Sequence, residues 1–160
     1  MNDGIFSFKT LSDVDTERLG AMLARSLEGA SIKSAFIALR GEMGVGKTAF
    51  TRGFGGYFGI KNVKSPTYSL LNEYRAKANI YHFDMYRIES EDDLISIGYD
   101  DYLEKGGYIL CEWSENIEEF LPSDVIFVTV SRVADNENAR EITVNFRGEK
   151  FDNFNLGALT

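Results

Sequence analysis

The chain has 160 residues, 44% of them hydrophobic and 26% charged, with two prolines; that excludes a disordered, collagen-like or low-complexity protein and suits one domain spanning residues 1–160. Seventeen basic against 25 acidic residues give a net charge of -8, the wrong sign for a protein that grips nucleic acid with its whole surface, though a local basic patch is compatible with it. One cysteine, Cys111, and one histidine, His82, leave no disulfide, no thiolate or imidazole cage for a structural metal and no His-based triad.

The opening MNDGIFSFKT lacks the blocks of a signal peptide, and no apolar run reaches membrane-spanning length. The expectation is a cytoplasmic protein without a membrane partner. Ile5 to Lys9 alternates apolar and polar side chains, the pattern of a short edge strand. Ser12 or Asp13 then caps a helix with Leu19, Met22, Leu23 and Leu27 at helical spacing, ending at Glu28-Gly29. Ser34 to Leu39 is a continuous apolar run, expected as a buried strand of a parallel sheet.

Glycines crowd the stretch from Gly41 to Gly59. A helix is expected over Lys47 to Phe58, weakened by Gly53, Gly55 and Gly56. Lys61 to Thr67 reads as a loop broken by Pro66, and Tyr68–Tyr74 and Asn79–Phe83 as strands around a turn at Ala76-Lys77. Ser90 with Glu91-Asp92-Asp93 starts a short acidic helix through Ile97, stopped by Gly98. Tyr108 to Cys111, ending on Glu112, is a second buried-strand run. Val125–Val133 and Glu141–Phe146 form an expected hairpin across a polar loop, Asp135 to Asn138. The core is expected over about residues 5–147 with a tail over 148–160, Phe151 and Phe154 reading as core aromatics. Strands alternating with helices give an α/β fold with a mixed, mainly parallel central sheet flanked by helices.

Gly41-Glu42-Met43-Gly44-Val45-Gly46-Lys47-Thr48 satisfies G-x-x-x-x-G-K-[ST] in full, after a buried-strand pattern and before a helical one. The glycines allow positive φ, so successive N–H groups converge on one anion, and the following helix adds its N-terminal dipole. Lys47 is a mobile point charge suited to β- and γ-phosphate oxygens, and Thr48 offers a hydroxyl to magnesium. A P-loop nucleotide site for ATP and Mg2+ follows. A carboxylate at a strand end must complete the magnesium site, and Glu112 and Asp84 both close apolar strands; spacing alone does not divide their roles. The alternative for each is a turn cap or a pair with a neighbour such as Arg87. His82 reads as a hydrogen-bonded core histidine before a catalytic base. Ser65-Pro66-Thr67 is a candidate switch sensing the γ-phosphate.

Beyond the loop, VKSPTYSLLNEY (Val63–Tyr74), YHFDMYRI (Tyr81–Ile88) and LCEWSE (Leu110–Glu115) follow in order, and with TLSDVDTERLG (Thr10–Gly20) the chain resembles the TsaE family, older name YjeE, from about Thr10 to Arg147. Met43 and Val45 replace commoner loop residues at positions that contribute backbone. The resemblance implies an ATPase of tRNA threonylcarbamoyladenosine synthesis that works with the TsaB–TsaD pair, tRNA being contacted mainly through that pair. It implies that Thr48 and Glu112 bind magnesium, that Asp84, Lys47 and Thr67 are catalytic, and that Thr67 lies in a switch with Ser65, Pro66 and Tyr68. It also implies that Trp113 belongs to a Glu-Trp pair for partner or switch contacts, and that Ser12, Asp13 and Arg140 lie near the adenine. Water is the expected acceptor of the γ-phosphate. With no evident arginine finger, turnover alone is expected to be slow and stimulated by the partner complex. The rival readings are a small-molecule kinase, which would need an arginine-rich lid, and a nucleotide-gated adaptor without essential hydrolysis.

Overall fold

The computed structural model describes residues 4–64, 66, 70–154 and 156. Seven strands form one mixed sheet: β1 (Ile5–Thr10), β2 (Ala35–Arg40), β3 (Leu71–Arg75), β4 (Asn79–Asp84), β5 (Tyr108–Glu112), β6 (Val125–Val133) and β7 (Asn136–Arg147). Their spatial order is β1-β7-β6-β2-β5-β4-β3. The central run β6-β2-β5-β4 is parallel, and the antiparallel pairs β1–β7, β7–β6 and β3–β4 flank it. β2 and β5 are apolar up to their last residues, Arg40 and Glu112, because both faces of the sheet are covered.

Helices α1 (Asp13–Gly29) and α2 (Lys47–Tyr57) cover one face, burying Leu19, Leu23, Leu27, Phe50 and Phe54 against Ile37, Leu39, Ile80 and Leu110. Helices α3 (Glu91–Ser96) and α4 (Tyr99–Lys105), with a 3-10 segment over Ser114–Phe120, lie on the other face with Phe36, Phe83, Ile109 and Cys111. Ser12 is the cap of α1, accepting from the Asp15 N–H at 3.2 Å.

The structure departs from the sequence reading at three places. Gly98 both stops α3 and starts α4, because at φ 71° it turns the chain into a second helix whose Tyr99, Tyr102 and Leu103 reach the core. The β6–β7 turn is tighter than the polar stretch suggests: Asp135 takes φ 66°, and β7 already begins at Asn136. The core also runs past Arg147 into the expected tail: Phe151 and Phe154 are buried, as read, together with Leu156, and the two rings pack on Phe146 with centroids 5.5 and 4.9 Å away.

Gly53 of α2 and Gly20 of α1 are packing sites. A Cβ on Gly53 would lie 1.8 Å from the Glu17 carbonyl oxygen, and one on Gly20 would lie 2.1 Å from that of Phe50. The backbones of α1 and α2 approach each other through these two gaps. That contact sets the position of the α2 N-terminus, where the phosphate motif ends.

Candidate functional site

β2, β5 and β4 run parallel and end together, so the loop after β2 and the carboxylates closing β5 and β4 share one edge of the sheet. Leu39 pairs with Glu112, and Glu112 with Asp84. Ligands of open α/β sheets bind at such strand C-termini. Residues directly opposite in parallel strands point to the same face. Glu112, Asp84 and His82 therefore share the face of Leu39, Leu110 and Ile80, toward α2.

The loop from Gly41 to Gly46 holds its glycines at φ 142°, 73° and 119° for Gly41, Gly44 and Gly46. Gly41 has no substitute: a Cβ there would meet the Val130 carbonyl oxygen at 2.4 Å. Val45 is buried, while Glu42 and Met43 are exposed at the tip. Two arginines of the β6–β7 hairpin hold the loop from outside. Arg140 donates through Nε to the Val45 carbonyl at 2.6 Å, and Arg132 through Nη2 to that of Met43 at 3.3 Å, with Nε 3.6 Å from Glu42. Thr10 pairs with Arg140, which brings the β1–α1 turn carrying Ser12 and Asp13 to the same flank. Ser12 is occupied there in capping α1. The sequence reading missed Arg132; a lone arginine near the end of a strand carries no local signal.

Lys47 opens α2 and is 5% exposed. Its ammonium donates to the Gly41 carbonyl at 2.8 Å and lies 4.4 Å from the centre of the Trp113 ring. No ion pair among the described residues includes Lys47. A buried cation whose direct contacts among the described residues are a carbonyl and a ring face, beside glycines at positive φ, favours an anion in the loop. Trp113 follows Glu112 in the left-handed region at φ 56°, and its other neighbour is Tyr86, ring to ring at 5.0 Å.

Glu112 is 7% exposed and bonds through Oε2 to His82 Nε2 at 2.8 Å. Asp84 accepts from the Tyr86 N–H at 3.0 Å. Burial pushes the Asp84 carboxyl above the usual carboxylate range; the Tyr86 N–H pulls it back and neighbouring Glu112 pushes it up again. Two adjacent, poorly solvated carboxylates at the mouth of the loop are a hard oxygen donor set, which fits a magnesium ion completing its shell with water and phosphate oxygens. Thr48 begins α2 beside Lys47, as that chemistry requires. Of the switch candidates, Pro66 is buried, while Ser65, Thr67 and Tyr68 lie outside the described residues. Lys64, just before them, is tied to β3 through the Tyr74 hydroxyl and the Asn72 amide.

The raised Asp84 pKa predicts a pH signature in the protein without nucleotide or divalent cation. An acid with a raised folded pKa stabilises the fold only while protonated. Its contribution is full below the unfolded value and is lost as pH climbs through the folded one. Asp84→Asn, which keeps an oxygen for the Tyr86 N–H, should therefore melt higher than wild type at pH 7. The gap should close as pH falls below about 4. Thermal melts across pH check it, and a gap of constant size would refute the assignment.

The sequence signature of the family described as "Threonylcarbamoyl adenosine biosynthesis protein TsaE" matches residues 10–142. A relative from Bacillus subtilis, named tRNA threonylcarbamoyladenosine biosynthesis protein TsaE, is 33% identical over 91% of this chain and 88% of its own. Relatives of the same name from Rickettsia prowazekii and Haemophilus influenzae are 37% and 41% identical, over 88% and 66% of this chain and 95% and 68% of theirs. The crystal structure of Bacillus subtilis YdiB superposes with a TM-score of 0.76 at 27% identity, covering 93% of this chain and 90% of that one. With the loop, the two strand-end carboxylates and the matched span in agreement, the chain belongs to the TsaE family of threonylcarbamoyl adenosine biosynthesis proteins.

Proposed function

We propose that this protein is a magnesium-dependent ATPase that supports threonylcarbamoyl transfer to tRNA adenosine by acting on a TsaB–TsaD complex in the cytoplasm. The single observation that carries the ATPase reading is the buried Lys47 ammonium beneath the glycine loop, facing the strand ends that carry Glu112 and Asp84. The pathway is the one named in the relatives.

The N–H groups of residues 42–48 and the Lys47 ammonium bind the β- and γ-phosphates, Lys47 exchanging the Gly41 carbonyl for phosphate oxygen. Glu112 and Thr48 would hold the magnesium ion, which when bound supplies neutralising charge to the β- and γ-phosphate oxygens. Asp84 orients the attacking water by accepting its hydrogen bond; the water oxygen bonds to the γ-phosphorus as the bond to the β-phosphate oxygen breaks, and the proton leaves with the phosphate. Arg140 and Arg132 hold the loop in shape through its carbonyls.

The destination of the γ-phosphate tests the chemistry. With γ-labelled ATP, magnesium and the partner complex, the label should appear as inorganic phosphate. Label on an organic acceptor would make the protein a kinase.

A further inference from the structure

We infer that His82 is a positioning residue that orients the Glu112 carboxylate for magnesium, an inference that rests on the nucleotide-site reading above. His82 is fully buried, and its Nε2 lies 2.8 Å from Glu112 Oε2. Glu112 can only accept as a carboxylate, so Nε2 carries the proton and donates. Nδ1 is buried with no hydrogen-bond partner among the described residues. Among the described residues the ring's hydrogen bond is therefore the one from Nε2 to Glu112.

Strand geometry fixes the aim. His82 pairs with Leu110, two residues before Glu112, and Asp84 pairs with Glu112 itself. On one face of adjacent parallel strands, the ring therefore reaches diagonally forward to the carboxylate behind the strand end. With Oε2 held by the ring, rotation of the Glu112 carboxylate is restrained. A core histidine placed only for packing would not leave one ring nitrogen unpaired while spending the other on a carboxylate at the site. Partners that orient an oxygen or nitrogen ligand in this way are worth about 10–100-fold in metal affinity.

The test is the magnesium concentration needed for tight ATP binding, read by the emission of Trp113, the sole tryptophan. His82→Phe keeps the ring volume and removes the donor. His82→Gln returns an N–H the same number of bonds from Cα. The Phe variant should need at least about tenfold more magnesium, with ATP binding in EDTA unchanged, and the Gln variant should recover most of the loss. In a Glu112→Gln background, His82→Phe should add no further loss, because the two act as one unit. An unchanged magnesium requirement in His82→Phe, or a full additional loss in the Glu112→Gln background, overturns the inference. If His82→Phe does not fold, His82→Gln decides alone: a requirement within a few-fold of wild type supports the inference, and a tenfold rise overturns it. If magnesium fails to tighten ATP binding in wild type, or Glu112→Gln binds as wild type does, the site reading itself fails.

Discussion

Asp84→Ala should keep its nucleotide and lose turnover, whereas Lys47→Ala should lose both. Lys47 is the one buried ammonium of the loop and is in no ion pair with a carboxylate among the described residues, so on the proposed reading its removal would strip the phosphates of a cation. A fall of about 100- to 1,000-fold in turnover, with weakened ATP binding, is the expected size for a lost phosphate-side donor. Asp84 stands at the end of β4, one strand beyond Glu112, with its carboxyl held by the Tyr86 N–H and not by the loop. Its loss should leave ATP affinity within a few-fold of wild type and lower turnover by about 100-fold or more. Equilibrium binding and phosphate release on the same preparations separate the two. Full function of the partner complex with Asp84→Ala would favour the nucleotide-gated adaptor.

Gly53→Ala should destabilise the fold although it improves helix propensity. Alanine gains about 1 kcal/mol over glycine inside a helix. Here the new Cβ would stand 1.8 Å from the Glu17 carbonyl, so α1 and α2 must separate and give up the contact of Leu19, Leu23 and Phe50 with the sheet. Overpacking of about 3 kcal/mol or more outweighs the gain. The expected net loss is about 2 kcal/mol or more, or 4–8 °C in melting temperature for a chain of this size. Gly56→Ala is the control: it sits in the same helix, is exposed, and its Cβ would meet nothing within 4 Å. It should gain about 0.5–1 kcal/mol. Urea melts of both variants decide it; equal behaviour would show that helix separation is not what Gly53 protects.

These two sets of residues differ in how well they could be read beforehand. The phosphate loop was legible because its signal is local: a strand, glycines at fixed offsets and a helix within one short stretch. The strand ends at Asp84 and Glu112 were legible as acids closing apolar runs, and the edge position of β1 through its alternation. The parallel order of β6, β2, β5 and β4 was legible only as a class. The contacts that shape the loop were not visible, since Arg140 and Val45 are 95 residues apart and Arg132 and Met43 are 89 apart; only the sheet order brings them together. His82 was correctly read as a bonded core residue, but that its partner is Glu112 depends on the β4–β5 register. Gly53 reads as a weak point because propensity sees one helix at a time, and its use lies in its approach to α1. Helix α4 was missed because Gly98 ends one helix in the same left-handed turn that starts the next.

The measurement closest to the proposed function is phosphate release from ATP by the intact protein, alone and with purified TsaB–TsaD and tRNA, beside Lys47→Ala and Glu112→Ala. The expected result is slow magnesium-dependent release that rises with the partners and vanishes in both variants. Magnesium-dependent ATP binding with no release under any condition, or release that the partners leave unchanged, would contradict it.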